Sequence, residues 1–232
     1  MARKESPNKK DLPKEEFEAG PQKKAASRKF SWFGSKLFDI IKFLLGVSLL
    51  PFVYSSTASF LNEFGVVPKG LQTYFCAGAI TFIAVYLFVL EPSMVYNAGH
   101  KILEVLFQFF TPLVKVAPFL LPIYTIVIFV LYKFAALFIR SDWLLQYAMF
   151  LFGFTLALHL VFSSKSMRSR KGDLLKGNYI FGFSFIYIVN LGIMAFCLNL
   201  IFKDFSFVDF CNSSYATARD LYHSVFSQLF LK

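Results

Sequence analysis

Apolar residues are not spread evenly along this chain. They gather in long blocks that begin near Leu37 and are separated by short polar breaks. Residues 1–29, by contrast, are polar and rich in Lys, Glu, Pro and Ser. A helix that crosses the roughly 30 Å hydrocarbon core of a bilayer needs about 20 mostly apolar residues. Five blocks meet that length, at about 37–56, 71–90, 116–139, 143–163 and 179–202. Backbone in lipid has to satisfy its own hydrogen bonds, so such blocks are helices. The pattern predicts an all-α fold: a polytopic helical membrane protein with about five transmembrane helices, amphipathic helices and a disordered basic N-terminal tail.

The blocks differ in ways that bear on packing. Pro51 lies inside the first and is expected to kink it. Asp39 and Lys42 fall in its first turns, within reach of headgroups. The second block holds Cys76-Ala77-Gly78-Ala79, small residues at which another helix can approach closely. Pro112, Pro118 and Pro122 crowd the start of the third, so that end is irregular or broken. Asn190 and Asn199 in the fifth can hydrogen-bond neighbouring helices. Two further stretches read as amphipathic helices. In 92–111, Asn97, His100, Lys101, Glu104 and Gln108 recur at spacings of three and four and share a face, with Val95, Ile102, Leu106 and Phe109 opposite. In 203–232, Leu221, Val225, Phe226 and Leu229 cluster. The expected organisation is a tail over 1–29, a transmembrane helical domain over 30–205 and a C-terminal amphipathic helix over 206–232.

Composition sharpens the picture. The chain is 56% hydrophobic and 16% charged, against about 45–50% and 25% in soluble domains. A formal net charge of +10 would suggest nucleic acid in a soluble protein. Here the Lys and Arg residues gather in the tail and in the 164–177 loop, which holds Lys165, Arg168, Arg170, Lys171 and Lys176. Such placement sets orientation and attracts anionic lipid headgroups, and no nucleic-acid partner is expected. With five spans and 92–111 not crossing, both basic regions fall on the cytoplasmic side and the C-terminus outside. The tail lacks a signal peptide, which suits a bacterial inner (plasma) membrane. Cys76, Cys197 and Cys211 form no CxxC pair, so zinc-finger and thioredoxin readings fail and the thiols read as small packing residues.

Candidate chemistry is sparse. There is no GxGxxG, Walker loop, nucleophile elbow or intact HExxH. His100 and Glu104, four apart on a helix, point the same way, as two metal ligands require. Otherwise they simply form part of the wet face of an amphipathic helix. His159 lies late in the fourth block, where it either serves a site or reaches headgroups. Asp173 in the basic loop sits beside Arg170 and Lys171, which neutralise it. His223, on the terminal helix, carries no signal.

The stretch VYNAGHKILEVLFQ resembles the zinc-binding helix of site-2-protease-like intramembrane zinc metalloproteases. APFLLPIYTIVIFVLY (117–132) and FTLALHLVFSSKSMRSRKGDL (154–174) are similar to segments that follow that helix in small bacterial members. The resemblance covers roughly 90–205, mostly as hydrophobic pattern. In that family a helix carries HExxH; its two His bind zinc and its Glu activates water. Here the positions read His100-Lys101-Ile102-Leu103-Glu104. The first His is kept, Lys101 replaces the base and Glu104 replaces the second His. A charged Lys accepts no proton and repels zinc, and general-base catalysis is worth about 10²–10⁴-fold. The resemblance therefore implies a degenerate, proteolytically inactive member that binds membrane segments or partner proteins. Its only conceivable metal is zinc, held by His100 and Glu104 with His159 and Asp173, and no other cofactor is implied. If it were an enzyme, it would be an intramembrane metallopeptidase.

The residues leave other classes open. One is a membrane structural or assembly protein with no protease ancestry; another is a transporter component, which the broken start of the third block fits. Helix 92–111 separates the first two readings. In a protease-like bundle it packs inside with His100 and Glu104 facing a pocket, and otherwise it lies at the surface with His100 in water.

Overall fold

Long apolar runs become helices because only intrahelical bonding satisfies the backbone in lipid, and every regular element among the described residues is helical. The computed structural model describes residues 37, 40–41, 43–88, 93–106, 120–139, 141–169 and 177–230. The expectations for the tail, Asp39, Lys42, Gln108, Phe109, Pro112, Pro118 and Asp173 fall outside them. The chain divides into Met1–Phe38 and Asp39–Lys232, and the second unit holds all the helices that follow. They are α1 (Leu50–Phe64), α2 (Lys69–Phe88), α3 (Ser93–Leu106), α4 (Ile123–Phe138), α5 (Asp142–Ser169), α6 (Gly177–Asn199) and α7 (Phe207–Phe230).

Among the described residues four helices are long and apolar enough to cross a membrane: Phe43–Phe64, which takes in α1, then Lys69–Phe88, Asp142–Met167 and Tyr179–Asn199. The protein is thus an all-α polytopic membrane protein. The predicted third block is the exception, because α4 has 16 residues and is only about 24 Å long. A turn at Leu49 interrupts the first span, and Pro51 sits in the first turn of α1. At that position its missing N–H costs little, so the proline marks a restart more than a kink. α5 runs on to Ser169, six residues past the predicted end, and takes the start of the basic loop into the helix.

The tightest seam joins α2 to α5. A Cβ built on Gly78 would lie 1.9 Å from the Phe150 carbonyl oxygen, and one on Gly153 would lie 1.9 Å from that of Phe75. The small patch around Gly78 therefore has a reciprocal partner at Gly153, and two backbones meet with no side chain between them. Without a hydrophobic drive between helices in lipid, such close contact is a main source of association. Matching residues rise together along this seam, from Gly78 beside Phe150 to Tyr86 beside Phe162, so α2 and α5 run parallel.

Two apolar clusters flank the seam. One joins Phe60, Phe64, Met149, Phe152, Met194, Leu198, Phe205 and Phe210, drawn from α1, α5, α6 and the approach to α7. The other joins Phe82, Tyr96, Leu158 and Phe162 from α2, α3 and α5. Polar bonds pin the remaining helices. Thr57 and Tyr187 hydroxyls lie 2.9 Å apart between α1 and α6, and Thr125 and Thr155 hydroxyls 3.0 Å apart between α4 and α5. Asn190 donates from Nδ2 to the Leu120 carbonyl, which holds the lead-in to α4 at mid-length of α6. Lys133, on α4, donates to the Leu200 carbonyl at the end of α6.

The C-terminal helix packs along α1. Ser206 caps it by accepting from the Asp209 N–H at 3.1 Å, and Asn199 accepts from the Phe207 N–H at 3.0 Å. From there α7 runs back along α1: Phe210 packs on Phe60, and Tyr222 reaches Phe52 and the Ser48 carbonyl. Its inward stripe is Phe210, Ser214 and Ala218, opposite the buried Ser55, Ser56 and Ser59. The predicted apolar cluster points elsewhere, since Val225, Phe226 and Leu229 are exposed. Small residues at matched intervals let the two helices close up, which a seam of Phe and Leu would not.

Candidate functional site

The second apolar cluster encloses the only polar constellation that the sequence singled out. α3 is too short to span and docks on α4 and on the later half of α5 through Tyr96 and Gly99, both buried. Gly99 is what permits the contact. A Cβ there would meet the Tyr124 ring at 2.7 Å and the Ile123 side chain at 2.9 Å, so α3 rests directly on the first turn of α4. Tyr96 is the hub. Its ring stacks on Phe162 at 5.2 Å between centroids and lies 6.1 Å from His159 and 6.2 Å from His100. Its hydroxyl is 3.4 Å from the Ser163 hydroxyl. Burial pushes this phenol above its usual range, the Ser163 bond pulling the other way, so it keeps its proton at neutral pH.

His100 stands at the edge of the docked face. Its Nε2 lies 3.4 Å from Glu104 Oε1, and the two side chains are 25% and 48% exposed. The predicted i, i+4 pair is therefore real, and the two groups face each other. Lys101 is exposed, as are Asn97, Ile102 and Val105. α3 is thus neither engulfed nor adrift. One side, with Tyr96, Gly99 and part of His100, faces the bundle, and Ile102 and Val105 face outward.

Of the two readings of His159, burial favours the inward one: it is only 4% exposed and points into the packing of α5 against α3. Tyr96, Gly99 and Ser163 were missed in the sequence. Tyr96 precedes His100 by four residues, one helical turn, and that spacing was the available signal.

The donor set bears on zinc. A catalytic zinc needs three protein ligands and an open position. Among the described residues no group of three or more His, Cys, Asp or Glu side chains could hold a metal ion. The residues that are described do not fit the zinc of an intramembrane protease, and no step through a metal follows from them. What the arrangement offers is a His–Glu pair at a helix edge, a protonated phenol and a buried imidazole, beside the basic end of α5 that carries Lys165. That set can hydrogen-bond a ligand. No family model matches the chain, and neither curated proteins nor solved structures give a match.

Proposed function

We propose that this integral membrane protein is a non-catalytic relative of site-2-protease-like metallopeptidases that holds membrane segments or partner proteins against the α3–α4–α5 junction. The observation that carries the reading is the burial of His159 against Tyr96, which seats α3 on the bundle with His100 at the edge of the contact. A helix with no internal role would more readily leave His100 fully in water, whereas its side chain is 25% exposed. Lys101 in place of the base and Glu104 in place of the second His support binding without cleavage. The start of Phe43–Phe64 and the start of α6 lie at one end of the unit, where Gly46 abuts Ile180. The positive-inside rule puts that end, with the 164–177 loop, in the cytoplasm and against anionic headgroups.

A photo-reactive amino acid at Ile102 or Val105, on the outward side of α3, tests this in native membranes. Crosslinking to an intact membrane segment is expected, with reduced yield when Tyr96→Ala loosens α3. Cleavage of the trapped segment, or no adduct at either position, would remove the proposal. A second reading, a membrane structural protein without protease ancestry, is favoured by one observation: Glu104 is half exposed, as on any helix at a surface. The pair Lys101→Glu with Glu104→His separates the two. One equivalent of bound zinc with slow proteolysis supports protease descent.

A further inference from the structure

We infer that the outer face of α7 is the contact between two copies of this chain, packed side by side within the bilayer. α7 lies alongside α1 from Phe210 at Phe60 to Tyr222 at Phe52. It therefore occupies the same depth as the candidate span Phe43–Phe64. Its inward stripe packs on α1. On the opposite side, Asn212, Ala216, Arg219 and His223 follow one another at spacings of four, three and four, with Asp220 flanking. This is one continuous stripe. Asn212, Arg219, Asp220 and His223 are exposed in the single chain; the Arg219 and Asp220 side chains are 65% and 69% exposed and 3.1 Å apart. Charged and amide groups at that depth almost always face protein or water, not lipid.

The stripe carries the features of a partner identical to itself. Copies in one membrane share an orientation, so a two-fold axis between them runs along the membrane normal and the paired helices are parallel. Residues of equal number then meet at equal depth. The Asn212 amide is both donor and acceptor and bonds its own copy. Arg219 and Asp220 differ in height by only about 1.5 Å, so each Arg meets the other chain's Asp, and both signs are supplied in equal number. Ala216, midway between Asn212 and Arg219, leaves room for the helices to close.

The experiment uses the full-length chain with Cys76, Cys197 and Cys211 replaced by Ser, reconstituted at high dilution into phosphatidylethanolamine–phosphatidylglycerol vesicles. Single cysteines are introduced as Asn212→Cys, Ala216→Cys or His223→Cys, and as Ile80→Cys on the exposed side of α2. Oxidation should give disulfide-linked dimers at the first three positions and at least tenfold less at Ile80. Single-molecule photobleaching of the otherwise native chain should show two steps. Arg219→Asp should weaken dimerisation at least tenfold, and adding Asp220→Arg should restore it. One-step bleaching at every density, equal crosslinking at Ile80, or reaction of the three introduced cysteines with a membrane-impermeant maleimide would each overturn the inference.

Discussion

Adding one methyl group to the α2–α5 seam should test how far this bundle depends on backbone contact. In Gly78→Ala the new Cβ would sit 1.9 Å from the Phe150 carbonyl oxygen, whereas ordinary van der Waals contact begins at 3.4 Å. The helices must part by about 1.5 Å, well beyond the 0.5–1 Å gap that already forfeits a quarter to a half of a dispersion well. Because the obstructing atom is backbone, no rotamer change relieves it. Overpacking typically costs about 1–3 kcal/mol, and this site belongs at the upper end, roughly a 150-fold loss in the folding equilibrium. Gly153→Ala demands the same separation, with its Cβ 1.9 Å from the Phe75 oxygen. The double variant should therefore cost far less than the sum, since one displacement accommodates both methyls. SDS titration in mixed micelles, followed by Trp143 fluorescence in a Trp32→Phe background, measures each value. Gly192→Ala is the control, because a Cβ there meets nothing within 4 Å; it should be neutral or slightly stabilising. Single variants within about 0.5 kcal/mol of the parent, or strict additivity, would refute the reasoning.

Three further outcomes follow from the described contacts. Tyr96→Phe removes only the Ser163 bond and should cost about 0.6 kcal/mol in the same titration, whereas Tyr96→Ala also loses the Phe162 stack and should cost about 3–5 kcal/mol while raising thiol labelling of an Ile102→Cys probe. Thr125→Val and Thr155→Val should each cost about 0.6–1.7 kcal/mol, and a double-mutant cycle should show most of that to be shared. Ser206→Ala removes the cap on the Asp209 N–H, so about 1 kcal/mol should be lost, read as faster amide exchange over the first turn of α7.

The sequence made the apolar helices and the Gly78 patch legible because both are local properties. Block length fixes a span, and small residues announce a close approach. Gly153 was not legible as the partner, since pairing depends on which of several apolar helices comes alongside. α3 was found from its periodicity, and the His100–Glu104 pair follows from it. The side of α3 that turns inward was not, because in lipid an apolar face can point out as readily as in. The same ambiguity left the packing side of α7 open: the helix meets α1 through Ser214 and Ala218 and leaves Val225 and Leu229 outside. The depth of His159 depended on a neighbour, Tyr96, more than sixty positions away in the chain.

The parallel run of α2 and α5 also sets an order of events during biogenesis. Two consecutive crossings point opposite ways, so parallel neighbours require the intervening chain to return across the membrane first. Gly78 must therefore wait in the bilayer, its small surface open, until Gly153 has been synthesised. At about 5–20 residues per second, that delay is roughly 4–15 s. During this interval an insertase or another nascent helix has its best opportunity to occupy the vacant groove.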